Sequence, residues 1–231
     1  MSLKEFMLKV FVLFILTQIF YVTTFAQSHF VKNLELGKPQ TLVVYGTSLS
    51  SGDGGKAWVK TVTDQLNSKY EGRLKVYNSG KSAMWSTWGV QHLEDSLISK
   101  KPDVVLMEFS MNDAFLNYKT SLELAELNLN YTINRIKLFN PDCEIILQIM
   151  NIPLDAHAAQ RPKLNSYYNL YRAVAKKRGI LIIDHYPNWK KILDKGKDEY
   201  LKLVPDGIHP NEAAARSVIA PFILQKIFEK N

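Results

Sequence analysis

The sequence predicts an α/β fold built on one parallel sheet of five strands, with helices on both faces. Three observations carry this expectation. Five short runs are apolar almost throughout, as strands buried on both faces must be. Stretches with apolar residues at helical spacing separate them. The β and α units also alternate strictly, which implies parallel pairing through right-handed crossovers.

The elements follow in order. Thr41-Leu42-Val43-Val44-Tyr45 reads as the first strand and ends at Gly46. A helix is expected over residues 57–70, a second strand over 74–77, a helix over 88–99 and a third strand over 104–109. Leu122, Ala125, Leu129, Ile133 and Ile136 then recur at spacings of 3, 4, 4 and 3, which draws one helix face. The fourth strand is expected over 144–150, a helix over 164–177 and the fifth strand over 180–183. A last helix should begin near Asn211 and run toward Phe228. Pro221 should bend or break it, because proline has no N–H for the helical ladder. There is no internal repeat, low-complexity tract or interdomain linker.

The first 26 residues read as a signal peptide rather than as part of the fold. Lys4 and Lys9 precede an apolar run over residues 10–22, and Thr24-Phe25-Ala26 places small residues where a signal peptidase reads. The run is shorter than the ~20 residues needed to cross a bilayer, so cleavage after Ala26 with no stable membrane anchor is expected. Residues 27–231 are then one catalytic domain, secreted to a periplasmic or extracellular space. The chain has one cysteine, Cys143, so no intrachain disulfide is available. Cys143 opens an apolar strand and reads as core packing. The net charge is +7. The short basic clusters Lys176-Lys177-Arg178 and Lys190-Lys191 read as solvated helix faces, with attraction to an acidic polysaccharide as the alternative. No feature points to nucleic acid. Oligomeric state is left open.

In an open parallel sheet, ligands sit beyond the carboxyl ends of the strands. Ser48 lies just past the first predicted strand, Gly80 past the second, Asn112 past the third, and Asn151 past the fourth. Asp206 and His209 lie in the loop before the last helix. Five segments therefore meet at one sheet edge. A serine hydroxyl is a weak nucleophile until a base takes its proton. His209 is the expected base, and Asp206, three residues earlier, can reach its Nδ1–H through one tight turn. Gly207 would allow that turn. The tetrahedral oxyanion formed on an attacked ester needs donors. The N–H groups of Ser48 and Gly80 and the side-chain amide of Asn112 are the expected ones.

Four blocks in order thus carry Ser48, Gly80, Asn112 and the Asp206/His209 pair. On these residues the chain resembles the SGNH hydrolase superfamily, the GDSL-type lipases and acylhydrolases, from Thr41 to Pro221. The resemblance implies a three-layer α/β/α flavodoxin-like fold, no metal and no organic cofactor. Two positions depart from the family pattern. Thr47 stands where an acid usually precedes the serine, and Ser110 stands where glycine usually opens the asparagine block. The Thr-Ser-Leu variant resembles exported bacterial esterases that deacetylate polysaccharides. The implied activity is hydrolysis of an acetyl ester on an O-acetylated carbohydrate, or on another acylated small molecule.

Rival readings are weaker. Gly52-Asp53-Gly54-Gly55-Lys56 fails as a phosphate-binding loop, because position 50 is Ser and position 57 is Ala. It reads instead as a flexible rim beside Ser48. The Gly-x-Ser-x-Gly elbow fails at position 50 as well. A short-chain lipid or thioester acylhydrolase is the nearest alternative. A sugar-binding protein on an inactive scaffold is another, with Trp58, Trp85 and Trp88 as stacking platforms; helix–sheet packing is the simpler reading of all three.

Overall fold

The computed structural model describes residues 28–229. The expected signal peptide lies outside the described residues. Among them, no helix is long and apolar enough to cross a membrane.

Five strands form one sheet: β1 (Gln40–Gly46), β2 (Leu74–Asn78), β3 (Val104–Glu108), β4 (Glu144–Ile149) and β5 (Leu181–Asp184). Their spatial order is β2-β1-β3-β4-β5, and every neighbouring pair is parallel. This is the flavodoxin-like order, and it fulfils the predicted α/β fold. The apolar runs form the strands, because both faces are covered. Val43, Val44, Tyr45, Val104, Val105, Leu147 and Ile149 are fully buried. The strand ends moved from expectation by a residue or so.

The major helices are α1 (His29–Glu35), α2 (Asp53–Lys69), α3 (Ser86–Gln91), α4 (Leu122–Phe139), α5 (Leu164–Arg178), α6 (Tyr186–Leu193) and α7 (Ala220–Phe228). The predicted face of α4 is buried at Ala125, Leu129, Ile133 and Ile136; Leu122, in the first turn, is exposed. Ser121 caps this helix by accepting from Leu124 N–H at 3.1 Å.

Two helices differ from expectation for visible reasons. The single helix expected over 88–99 is broken after Gln91 and continues as short turns, Leu93–Ser96 and Ile98–Lys100. The Gly89 carbonyl, which would accept the next helical N–H, instead accepts the buried Tyr45 hydroxyl at 2.6 Å. The C-terminal helix starts as Glu212–Ala214 with Asn211 as its cap, the Asn211 Oδ1 accepting from Ala214 N–H at 3.0 Å. It then widens into a π-helical turn at Ala215–Ile219 before α7. Pro221 sits just beyond that turn. Widening there accommodates the missing N–H without a sharp bend.

Cys143 is fully buried, and burial pushes its thiol up to about 12. That fits packing and not chemistry.

Candidate active site

The chain leaves β1 at Gly46 and turns at once into a short helix, Ser48–Ser51. Thr47 is its cap: the Thr47 Oγ1 accepts from Leu49 N–H at 3.1 Å. Ser48 is the first helical residue, so its N–H has no acceptor within the turn. The turn rests on a buried carboxyl group. Glu108, the last residue of β3, pairs in register with Gly46. Its Oε1 accepts from Thr47 N–H at 2.6 Å and from the Ser50 hydroxyl at 2.8 Å, and the Thr47 hydroxyl lies 3.0 Å from Oε2. Glycine at 46 is required by this contact, since a Cβ there would lie 2.3 Å from Glu108 Oε1. Burial pushes Glu108 up to about 7, against the pull of these donors, and the neighbouring Asp113 adds to the rise.

His209 and Asp206 reach the same place from the loop before the last helix. Ser48 Oγ lies 2.9 Å from His209 Nε2, across 161 positions of sequence. His209 Nδ1 lies 2.6 Å from Asp206 Oδ2. The other carboxylate oxygen, Oδ1, accepts from the main-chain N–H groups of Ile208 at 3.0 Å and His209 at 2.7 Å. Partial burial pushes Asp206 up, but the His209 N–H and ring and the Ile208 N–H outweigh it, leaving the carboxyl below its ordinary value. Gly207 turns the chain with a φ of 82°. The loop after β4 holds this turn in place. Leu154 N–H donates to Gly207 O at 2.8 Å, and Asn151 Nδ2 donates to Ile208 O at 2.9 Å.

Asn112 sits in a short helical turn, Ser110–Asp113, at the end of β3, almost fully buried. One N–H of its amide donates to Met84 O at 2.8 Å, which leaves the second for the cavity it lines. Asp113, beside it, accepts from Ser86 N–H at 2.9 Å, and burial pushes it up to about 7.

Gly80 is placed differently from expectation. It does not line the cavity, and its N–H donates to Asn78 Oδ1 at 3.1 Å. The cavity is lined by Ala83 in the same loop. Ala83 adopts a φ of 59°, unusual for a residue with a Cβ, and its carbonyl is pinned by the Tyr118 hydroxyl at 2.6 Å. No acceptor for the Ala83 N–H is found among the described residues. The sequence offered no signal for Ala83, since its conformation depends on Tyr118, 35 positions away. Glu108, which braces the Ser48 turn, is likewise absent from the expected site residues. An acid closing an otherwise apolar strand was the available signal for Glu108.

Ser48, Asn112, Asp206 and His209 open into one cavity of about 1200 Å³. Its aromatic lining is Phe115 and Tyr118, not the three tryptophans. Trp58 is buried in the core with its Nε1–H donating to Leu49 O at 2.9 Å. Trp85 stacks on Tyr118 at 4.3 Å, and Trp88 stacks on His92 at 4.5 Å. The glycine-rich segment is a cavity wall but not a loose rim. Gly54 lies in the first turn of α2, and a Cβ on it would lie 1.9 Å from the Pro210 carbonyl, so this wall packs directly against the histidine-bearing loop. Among the described residues, no group of three or more His, Cys, Asp or Glu is placed to hold a metal.

The GDSL-like lipase/acylhydrolase family model matches residues 44–216, from β1 to the last helix. The chain belongs to this family. It is an SGNH-type hydrolase, with the five-stranded parallel sheet of that fold. Solved structures agree on the architecture. An acetylxylan esterase from Geobacillus stearothermophilus, seen as a catalytic mutant, is 22% identical with a TM-score of 0.70, covering 84% of this chain and 96% of that one. An α/β hydrolase from the metagenome of Lake Arreo, Spain, is 23% identical with a TM-score of 0.69, covering 82% and 95%. A GDSL-like lipase from Parabacteroides merdae is 17% identical with a TM-score of 0.73, covering 82% and 96%. No curated protein sequence matches this SGNH hydrolase.

Proposed function

We propose that this hydrolase is an exported serine esterase that removes acetyl groups from O-acetylated carbohydrate. The observation that carries the reading is the unbroken contact from Ser48 Oγ through His209 to Asp206, at 2.9 Å and 2.6 Å. His209 Nε2 takes the Ser48 proton as Oγ attacks the ester carbonyl carbon. Asp206 fixes Nδ1–H as the donor and stabilises the imidazolium. The carbonyl oxygen becomes an oxyanion, facing the N–H groups of Ser48 and Ala83 and the free amide N–H of Asn112. His209 then protonates the leaving sugar oxygen, the C–O bond breaks, and an acetyl group stays on Ser48. Water, deprotonated by His209, attacks this acetyl-enzyme and releases acetate, returning the hydrogen to Ser48.

Three observations support a carbohydrate as the alcohol. The cavity is wide, about 1200 Å³, and the polar side chains of Asn112, Gln160 and Asn211 line it. It carries two aromatic side chains on one wall. An acetylxylan esterase shares the fold. Export follows from the signal peptide read at residues 1–26.

The reading is tested by acetate release from acetylated xylo-oligosaccharides, alongside 4-nitrophenyl esters from acetate to octanoate. Turnover of the acetylated sugars, with rates falling steeply beyond short acyl chains, is expected. A preference for long chains would favour the lipid acylhydrolase. Sugar binding without hydrolysis of any ester would favour the inactive scaffold.

A further inference from the structure

We infer that Arg161 is the carboxylate-binding element of this cavity, and that the carbohydrate substrate carries uronic acid residues beside its acetyl ester. This rests on the esterase reading above and narrows its substrate. Arg161 lines the cavity with Ser48 and His209, yet only 7% of its surface is exposed. Its Nε–H donates to Met111 O at 2.9 Å, and one Nη1–H donates to His157 O at 3.1 Å. Three of its five N–H bonds have no acceptor among the described residues, including both on Nη2.

The other arginines behave differently. Arg73, Arg135, Arg172 and Arg216 each pair with a carboxylate, and Arg178 donates to two asparagine side chains. Arg161 is the most buried of the six and the only buried one, and like Arg178 it pairs with no carboxylate. Keeping a cation out of water without a counter-ion is costly. Burial indeed pulls the guanidinium below its ordinary value.

The surroundings orient Arg161 for a ligand. Its guanidinium carbon lies 4.7 Å from the centre of the Phe115 ring, a cation–π contact that, with the two carbonyl anchors, fixes where the group sits. A carboxylate matches a guanidinium fork with two parallel hydrogen bonds. The anchor at Met111 O belongs to the residue next to Asn112, and Arg161 lines the same cavity as Asn112 and Ser48. None of the acidic side chains lining the cavity bonds Arg161. Asp206 is held by His209, Glu212 pairs with Arg216 at 2.8 Å, and Asp53 opens α2 beside the Pro210 wall. The positive net charge, +7 for the full chain, would also draw a polyanionic chain toward the protein.

The test compares an O-acetylated galacturonate trisaccharide with its fully methyl-esterified form, in which each carboxylate is replaced by a neutral ester on the same sugar. For the wild-type enzyme, kcat/KM for acetate release should be about ten- to a hundredfold higher on the free acid, the range of one charged hydrogen-bonded pair. In Arg161→Gln that ratio should collapse toward one, and Arg161→Lys should restore part of it. Because the ratio is internal to each enzyme, partial damage to folding does not mimic the result, and the wild-type comparison stands without any variant. Equal rates on the two sugars, a preference for the methyl ester, or no turnover of either while 4-nitrophenyl acetate is hydrolysed would overturn the inference alone. A preference that survives in Arg161→Gln would overturn the assignment to Arg161. Failure of wild type on 4-nitrophenyl acetate as well would overturn the esterase reading and this inference with it.

Discussion

Thr47 and Glu108 are 61 positions apart, and the N–H of Thr47 donates to Glu108 Oε1 at 2.6 Å directly beneath Ser48. The usual acid beside the serine is absent from this chain, and a buried acid from the next strand braces the turn instead. Two further hydroxyls, of Thr47 and Ser50, point at the same carboxyl group. Glu108→Ala should leave these donors buried without an acceptor, at about 1–3 kcal/mol for each group stranded. The expected outcome is a lower Tm and kcat reduced about ten- to a hundredfold on 4-nitrophenyl acetate. Glu108→Gln keeps an acceptor for Thr47 N–H and should fall between this variant and wild type.

The same carboxyl group should shape stability against pH. Glu108 is raised from 4.5 to about 7 in the folded chain, so the folded state binds its proton more tightly than the unfolded state. Its contribution is fully present below about pH 4.5 and is lost as pH rises through about 7. Buried His185, lowered to about 3, runs the other way, so the difference between two enzymes is the informative quantity. Thermal melts of wild type and Glu108→Gln should show wild type losing Tm relative to the variant between pH 4.5 and 7. A constant difference across that range would refute a raised Glu108.

Asn112 has one amide N–H on Met84 O and one free toward the cavity. If the free one serves the oxyanion, Asn112→Ala should lower kcat by about 10²–10³ with little change in KM. Steady-state kinetics on 4-nitrophenyl acetate decide it. A change confined to KM would place Asn112 in ground-state binding.

Gly54 and Pro210 form the closest approach between the α2 wall and the loop that carries His209. A Cβ at position 54 would meet the Pro210 carbonyl at 1.9 Å, and backbone atoms must move to admit it. Gly54→Ala should therefore destabilise by about 1–3 kcal/mol in denaturant titration and slow turnover by displacing His209 from Ser48. Unchanged stability would show that this wall is looser than its packing suggests.

The sequence made the sheet legible because its strands are buried on both faces, so five apolar runs stood out without any need to see their partners. It made Ser48, Asn112, Asp206 and His209 legible because each follows a strand or precedes a helix at the sheet's carboxyl edge. The Asp206–His209 contact is local, spanning one turn, and needed no tertiary information. What stayed hidden depends on distant partners. The break after Gln91 comes from the Tyr45 hydroxyl, and the Ala83 conformation is held by Tyr118. Gly80 looked like a donor because glycine permits close approach, yet Asn78 already occupies its N–H. Packing is the simpler reading of Trp58 and Trp88 from sequence, and one is core while the other stacks on His92.

The most direct test of a Ser48 nucleophile is the rate of 4-nitrophenyl acetate hydrolysis by purified Ser48→Ala beside wild type, with circular dichroism verifying that both are folded. The expected result is a loss of at least ~10³ in kcat, as removal of a nucleophile causes in comparable triads. Turnover close to wild type would contradict it and move the chemistry to another group.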